Sequence, residues 1–243
     1  MPYKNDKPRE LLTQANSILG FNQCSLAKYL FIAEDVAGLD IDHVENFLSY
    51  CLERVDFQRD LHFQTQTTMD TLDYSAEGLN EGSKLIVAVA NNKKRSLCAH
   101  LPSGFNLVGA YDKPKLAMPG VICVSAPAFK DYQSANVEIE ILCRYLEKVN
   151  HSELALVVIC DDSEFTARSL NNFLWTTFTR SNPSHDVYGV RSQIVFKHWG
   201  CEGPLVIDAR LKPHMAEALR EDPSTTRRVD QIIKKDKVLS QLL

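Results

Sequence analysis

From Arg9 to Leu19 the apolar residues Leu11, Leu12, Ala15, Ile18 and Leu19 fall on one helical stripe, and Gly20 follows where helices end. This predicts an entry helix. Ala27 to Ala33 is a short apolar run between polar flanks, which suits a strand covered on both faces. Val44, Phe47, Leu48, Cys51 and Leu52 then return to helical spacing, with Asp42 and Glu45 placed to act as a capping box. Leu61 to Gln66 alternates weakly, and Lys84 to Ala90 has the strongest β character of the first half. Turn formers, a basic cluster and the residues Pro102, Gly104, Gly109, Pro114 and Gly120 mark 91–120 as a connector.

Beyond it, Val121 to Ser125 predicts a buried strand, and Val137, Ile141, Leu142, Tyr145, Leu146 and Val149 a long amphipathic helix. Leu154 to Cys160 predicts another strand. Leu170, Phe173, Leu174 and Phe178 share a helical face, and Pro204 to Ala209 reads as a last strand. Thr225 to Leu243 predicts a terminal helix with Val229, Ile232, Ile233, Leu239, Leu242 and Leu243 apolar. That much apolar surface must be covered, either by the helix's own domain or by a second copy of the chain.

The two halves echo one another. Asn46, Phe47, Leu48, Arg54 and Asp60 recur as Asn172, Phe173, Leu174, Arg180 and Asp186, each 126 positions later. A spacing that long exceeds the roughly 20 to 50 residues of solenoid repeats and suggests two related α/β halves. The expected fold is therefore a layered α/β/α arrangement with a mixed, largely parallel sheet, two related halves and a protruding C-terminal helix. Its divisions are an entry helix at 1–26, a first half at 27–90, the connector at 91–120, a second half at 121–222 and the terminal helix at 223–243. Arg54 and Arg180, near their helix ends, are expected to pair with Asp60 and Asp186 and tie each helix to the following strand.

Composition narrows the function. A net charge of −4 argues against a general nucleic-acid or anionic-membrane surface, and no apolar run approaches the ~20 residues of a spanning helix. The N-terminus lacks an apolar signal core, so the expected compartment is the cytoplasm. Seven cysteines without a C-x-x-C pair indicate neither disulfides nor a zinc ribbon, and most sit in apolar runs as expected of buried thiols.

Candidate chemistry is sparse. Glu34-Asp35 and Asp161-Asp162 close their strands at the carboxyl side, where open α/β sheets bind ligands. Such doublets could hold a divalent cation or exchange protons, and equally could cap the next helix. Gly78 to Lys84 departs from the phosphate-loop pattern in spacing, in the order of Ser and Lys, and in leading to a strand. His198 and Cys201 form a conceivable Cys/His pair, while His185 and His214 have no zinc spacing.

Taken together, several segments resemble the carboxyl-terminal part of the UbiD-family decarboxylases, which include the 3-octaprenyl-4-hydroxybenzoate carboxy-lyases. They are Lys28 to Val36, Glu53-Arg54-Val55-Asp56 with Asp60, Gly82-Ser83-Lys84, Thr179-Arg180 with Pro183 and Asp186, and Gly203 to Ala209. The resemblance runs from about Leu11 to about Asp222. It implies a lyase that decarboxylates aromatic or α,β-unsaturated acids, as in ubiquinone biosynthesis, using prenylated FMN with a divalent metal. The family's Glu-Arg-Glu catalytic set, metal ligands and Pro-Phe-Gly-Glu stretch do not occur here. The resemblance thus implies a cofactor-covering and oligomerising portion with no catalytic or metal-binding residue, inactive alone and holding no cofactor alone. Lys28 matches a family lysine that reaches the cofactor phosphate. The terminal apolar residues Val229, Ile232, Ile233, Leu239, Leu242 and Leu243 match a helix exchanged between subunits. The implied partners are further copies of the chain and the catalytic half of the enzyme. A non-catalytic interaction domain is the alternative.

Overall fold

The structure is a computed structural model that describes residues 8–90, 92–103, 105–107, 109–149, 152–216, 221–236 and 238–241. Helix α1 (Pro8–Leu19) leads through a 3-10 turn (Asn22–Leu26) into β1 (Tyr29–Ala33), α2 (Val44–Arg54), β2 (Leu61–Thr68) and β3 (Glu81–Val89). These strands form one sheet in the order β1-β3-β2, with β1 parallel and β2 antiparallel to β3. The second sheet uses β4 (Asp112–Met118), β5 (Val121–Ser125), β6 (Leu156–Cys160), β7 (Val187–Gly189) and β10 (Leu205–Asp208). Its order is β4-β5-β6-β10-β7, parallel in the middle and antiparallel at both edges. Helix α3 (Tyr132–Val149) joins β5 to β6, and the short α4 (Ser163–Thr166), α5 (Leu170–Thr179) and α6 (Pro183–Asp186) join β6 to β7. A ribbon of β8 (Gln193–Val195) and β9 (His198–Gly200) precedes β10, and α7 (Pro223–Lys235) follows it.

The alternation of side chains along each strand sorts the core into layers. Ile86, Ala88 and Ala90 on one face of β3 meet Leu11, Ala15 and Leu19 of α1. Leu85, Val87 and Val89 on the other face join α2, α5 and the inner face of the second sheet in one continuous cluster. Ile122, Val124, Val157, Ile159 and Val206 on the second sheet's far face pack on Ile139, Leu142 and Leu146 of α3. The sequence of layers is helix, sheet, paired helices, sheet, helix.

Both halves share one plan. The order β1-β3-β2 with its strand directions recurs as β6-β10-β7, with α1 answering to α3 and α2 to α5. The turn after each middle helix repeats in detail. Asp56 N–H donates to Asp60 Oδ2 at 2.8 Å, and Asn182 N–H donates to Asp186 Oδ2 at 2.6 Å. Each turn docks on the other half. Phe57 O accepts from Cys201 N–H at 3.1 Å, and Ser83 Oγ donates to Asn182 Oδ1 while accepting from Ser184 N–H at 2.8 Å. This reciprocal exchange is the geometry of a twofold dimer built within one chain. Gly203, at φ +90°, makes the first docking possible, because a Cβ there would lie 2.5 Å from the Phe57 ring.

Four local expectations change. Asp42 does not cap α2: the helix follows His43, which makes no side-chain cap, and Asp40 Oδ1 takes the Asp42 N–H instead. The stretch 91–120 contains β4, whose Pro114 sits on a sheet edge inside a register shift, where a missing N–H is tolerated. Arg180 pairs with Asp161 at 2.9 Å and Asp186 with Lys212 at 3.2 Å, while ion pairs join Arg54 to Glu53 and Asp60 to Arg59. The terminal helix stops at Lys235, since Asp236 turns its carboxylate onto Val238 N–H and Leu239 N–H and competes for the backbone. Leu239 therefore lies in a separate 3-10 turn, and Leu242 and Leu243 fall outside the described residues.

Candidate functional site

The most heavily charged place in the interior is the seam where the two halves meet. Lys28, just ahead of β1, is 7% exposed and points its Nζ at Asp73 Oδ2 (2.7 Å), Ser75 Oγ (2.7 Å) and Ser181 O (3.0 Å). Beside it Tyr29 OH and Ser181 Oγ share a hydrogen bond of 2.6 Å, and burial holds the phenol far above its ordinary range. Burial also lowers the pKa of Lys28, against the raising effect of Asp73.

Deeper in the seam, Asp186 Oδ2 is held by the Asn182 N–H and its Oδ1 faces Lys212 Nζ at 3.2 Å, an ion-pair contact without a well-directed hydrogen bond. Burial pushes the Asp186 carboxyl up to about 7, and Lys212 only partly offsets this. Lys212 Nζ also donates to Asp208 O (2.9 Å) and Arg180 O (3.0 Å). Arg210 clasps Asp208 through Nε (2.9 Å to Oδ1) and Nη2 (2.7 Å to Oδ2) and reaches Glu138 Oε2 at 2.9 Å. Two clefts flank the seam. One, of about 520 Å³, is lined by Asp73, Trp175, Arg180 and Met215; the other, of about 680 Å³, by Tyr132, Asn182 and His185.

Three of the four doublet carboxylates meet partners in the scaffold. Asp161 accepts from Arg180 and from Leu211 N–H (2.9 Å), and Asp162 caps α4 through Phe165 N–H (3.0 Å). Glu34 is buried and accepts from Tyr50 OH at 3.2 Å, while Asp35 is exposed. Lys84 donates to the carbonyls of Ser25 (2.7 Å) and Ala27 (3.0 Å), a structural use of the Gly-Ser-Lys segment. The His198 ring packs against that of His62 at a tilt of 58°, with centroids 5.4 Å apart. Burial pushes the Cys201 thiol up to about 12, so it is no thiolate nucleophile near neutral pH. Among the described residues no group of three side chains is arranged to hold a metal.

The surroundings of Lys28 do not fit a flavin phosphate: all three of its N–H bonds are used, and Asp73 already balances its charge. Sequence reasoning missed the seam's members Asp73, Ser75, Arg210 and Lys212 and took Asp208 only as part of the Gly203 to Ala209 segment. One signal was present, since Asp208 lies in the expected strand Pro204 to Ala209 and the cations Arg210 and Lys212 follow it at alternate positions.

Residues 3–89 match the family model of the 3-octaprenyl-4-hydroxybenzoate carboxy-lyase C-terminal domain, UbiD_C. Over 226 residues the chain is 32% identical to a Chlamydia pneumoniae protein named as a 4-hydroxybenzoate decarboxylase subunit, an alignment with 92% of this chain and 36% of that protein. The chain is thus similar to UbiD-family proteins, its first half to their C-terminal domain. Uncharacterized proteins of Chlamydia trachomatis serovar D and Chlamydia muridarum are each 30% identical, over 89% and 91% of this chain and 35% and 36% of their own lengths. The chain thus spans about a third of these relatives. The family model stops at the end of β3, so it matches the first half of the pseudo-dimer, whereas the chlamydial relatives align with both halves.

Proposed function

We propose that this chain supplies the assembly portion of a UbiD-type carboxy-lyase, whose reacting groups and prenylated FMN belong to other polypeptide. The reading rests chiefly on α7, whose thirteen residues include none that is buried and whose Val229 and Ile232 are 46% and 61% exposed. An apolar helix stripe in water calls for a partner, and the cations of Arg227, Arg228, Lys234 and Lys235 keep its opposite side soluble. Ile233, half-buried, and Leu239 extend the same association surface. The similarity to a protein named as part of a decarboxylase adds the enzyme class. Substrates on this reading are aromatic or α,β-unsaturated acids, and the partners are a second copy and a catalytic polypeptide. A part for Lys28 in covering the flavin would first require Asp73 to leave it, so assembly is the role retained.

Co-expression with a flavin prenyltransferase and the catalytic polypeptide tests the proposal. The complex should show flavin absorbance and release carbon dioxide from an aromatic acid, and the chain alone should do neither. A chain that binds flavin alone, or a mixture that never gains activity, overturns it. Truncation before Thr225 is expected to lower the mass measured by light scattering at micromolar concentration. An unchanged mass would remove α7 from the association surface.

A further inference from the structure

The internal repeat exposes one unmatched place. In the second half the outer edge of β6 is occupied by β5, which runs parallel with Val121 opposite Leu156 through Ser125 opposite Cys160. In the first half β1 stands where β6 stands, yet among the described residues its only strand partner is β3. Leu85 N–H donates to Lys28 O (2.8 Å) and Glu34 N–H to Val89 O (3.1 Å), so the even-numbered residues of β1 face β3. Backbone groups of a parallel strand alternate between neighbours, and Tyr29, Phe31 and Ala33 therefore direct their N–H and C=O groups to the other edge. There no described residue bonds to them. Their counterparts in β6 do have partners, since Leu156 N–H donates to Gly120 O (3.1 Å) and Cys160 O accepts from Ala126 N–H (3.0 Å).

Burial tells the same story. All five residues of β6 are buried, whereas all five of β1 are only half-buried. The faces beside the open edge are nonetheless apolar, with Leu12, Leu30 and Ile32 on the α1 side and Tyr29, Phe31 and Phe47 on the other.

The geometry points to the outer edge of β1 as an acceptor for an added strand, apolar on both faces as β5 is, running parallel to β1. Its source is the catalytic polypeptide of the UbiD-type assembly, so the inference rests on the functional reading above. Two observations favour that source over a second copy. In the second half the strand that fills this edge precedes the helix in the chain, and relatives of this protein carry nearly two-thirds of their length outside the aligned region. Two copies meeting edge to edge about a twofold would pair β1 antiparallel, unlike the β5–β6 pattern.

Hydrogen–deuterium exchange on the full chain decides it, with the part of the Chlamydia pneumoniae relative outside the aligned 226 residues as the probe. Without the probe, the amides of Tyr29, Phe31 and Ala33 should exchange much faster than those of Leu30 and Ile32. Adding the probe should slow the three at least about ten-fold. Ala33→Pro deletes one outward donor and leaves the β1–β3 ladder whole, so it should weaken capture of the probe about ten-fold or more while Ala33→Ser does not. Binding that leaves the three amides fast, equal capture by Ala33→Pro, or amides already slow without the probe overturns the added strand and leaves the assembly reading intact. Protection that grows with the chain's own concentration assigns the edge to a second copy and likewise overturns it. No binding of the probe to the unaltered chain overturns both.

Discussion

Replacing Arg210 by methionine should destabilise the fold by about 3–5 kcal/mol, the usual result of removing one partner from a buried ion pair. Arg210 and Asp208 are each 1% exposed, and the guanidinium fork grips both carboxylate oxygens. The third nitrogen joins Glu138 on α3 and the carbonyl of Pro127, so one side chain ties the end of β10 to the helix covering the sheet. Methionine keeps much of the volume beside Phe129, over whose ring the guanidinium lies at 5.4 Å. It leaves Asp208 charged, dry and without its clasp. A loss of that size is a large share of the roughly 5–15 kcal/mol by which domains are stable, and a urea titration would read it directly. The companion Arg210→Met with Asp208→Leu should recover part of the loss, because the carboxylate left without its clasp is then gone. A single variant within about 1 kcal/mol of the native chain would mean that water or another cation reaches Asp208.

Elements whose cause is local are legible in the sequence. β5 and β6 are short runs of Val, Ile, Leu and Cys buried on both faces, and apolar content alone marks them. β2 was only faintly visible because Gln64 to Thr68 lie along an edge that water reaches, where the sheet tolerates polar side chains. β4 was hidden by Pro114 and the lysines around it, which suit an antiparallel edge and look like a loop. The 126-residue echo foretold the shared strand order because Asp60 and Asp186 shape the same backbone turn in both halves. The seam was beyond reach. Lys28 and Ser181 are 153 positions apart, and no period in a sequence says which distant charges will share a dry site. The resemblance placed Lys28 at a phosphate; Asp73, from the loop between β2 and β3, gives it an internal partner instead.

Asp186→Asn should flatten the pH dependence of stability between about pH 4 and pH 7. The native carboxyl is raised from 3.8 to about 7, first by burial and further by the charge of Asp208, against the pull of Lys212 and the Asn182 N–H. The folded chain therefore binds this proton more tightly than the unfolded chain does. The stabilisation from that proton is complete below the unfolded value near 3.8 and disappears as pH climbs through 7. At 1.36 kcal/mol per unit the whole span amounts to roughly 4 kcal/mol as an upper figure, since the charged neighbours Lys28, Lys212, Asp73 and Asp208 share the site. Asparagine has no proton to lose, and its side-chain oxygen can still accept the Asn182 N–H. Lys212 keeps its carbonyl partners at Asp208 and Arg180. His62, whose pKa burial and His198 lower, works in the opposite direction but contributes equally to both chains. The stability of the native chain minus that of the variant, from urea titrations at pH 5, 6, 7 and 8, should accordingly fall as pH rises. Curves that stay parallel would show that Asp186 is ionised throughout and that its pairing with Lys212 outweighs its burial.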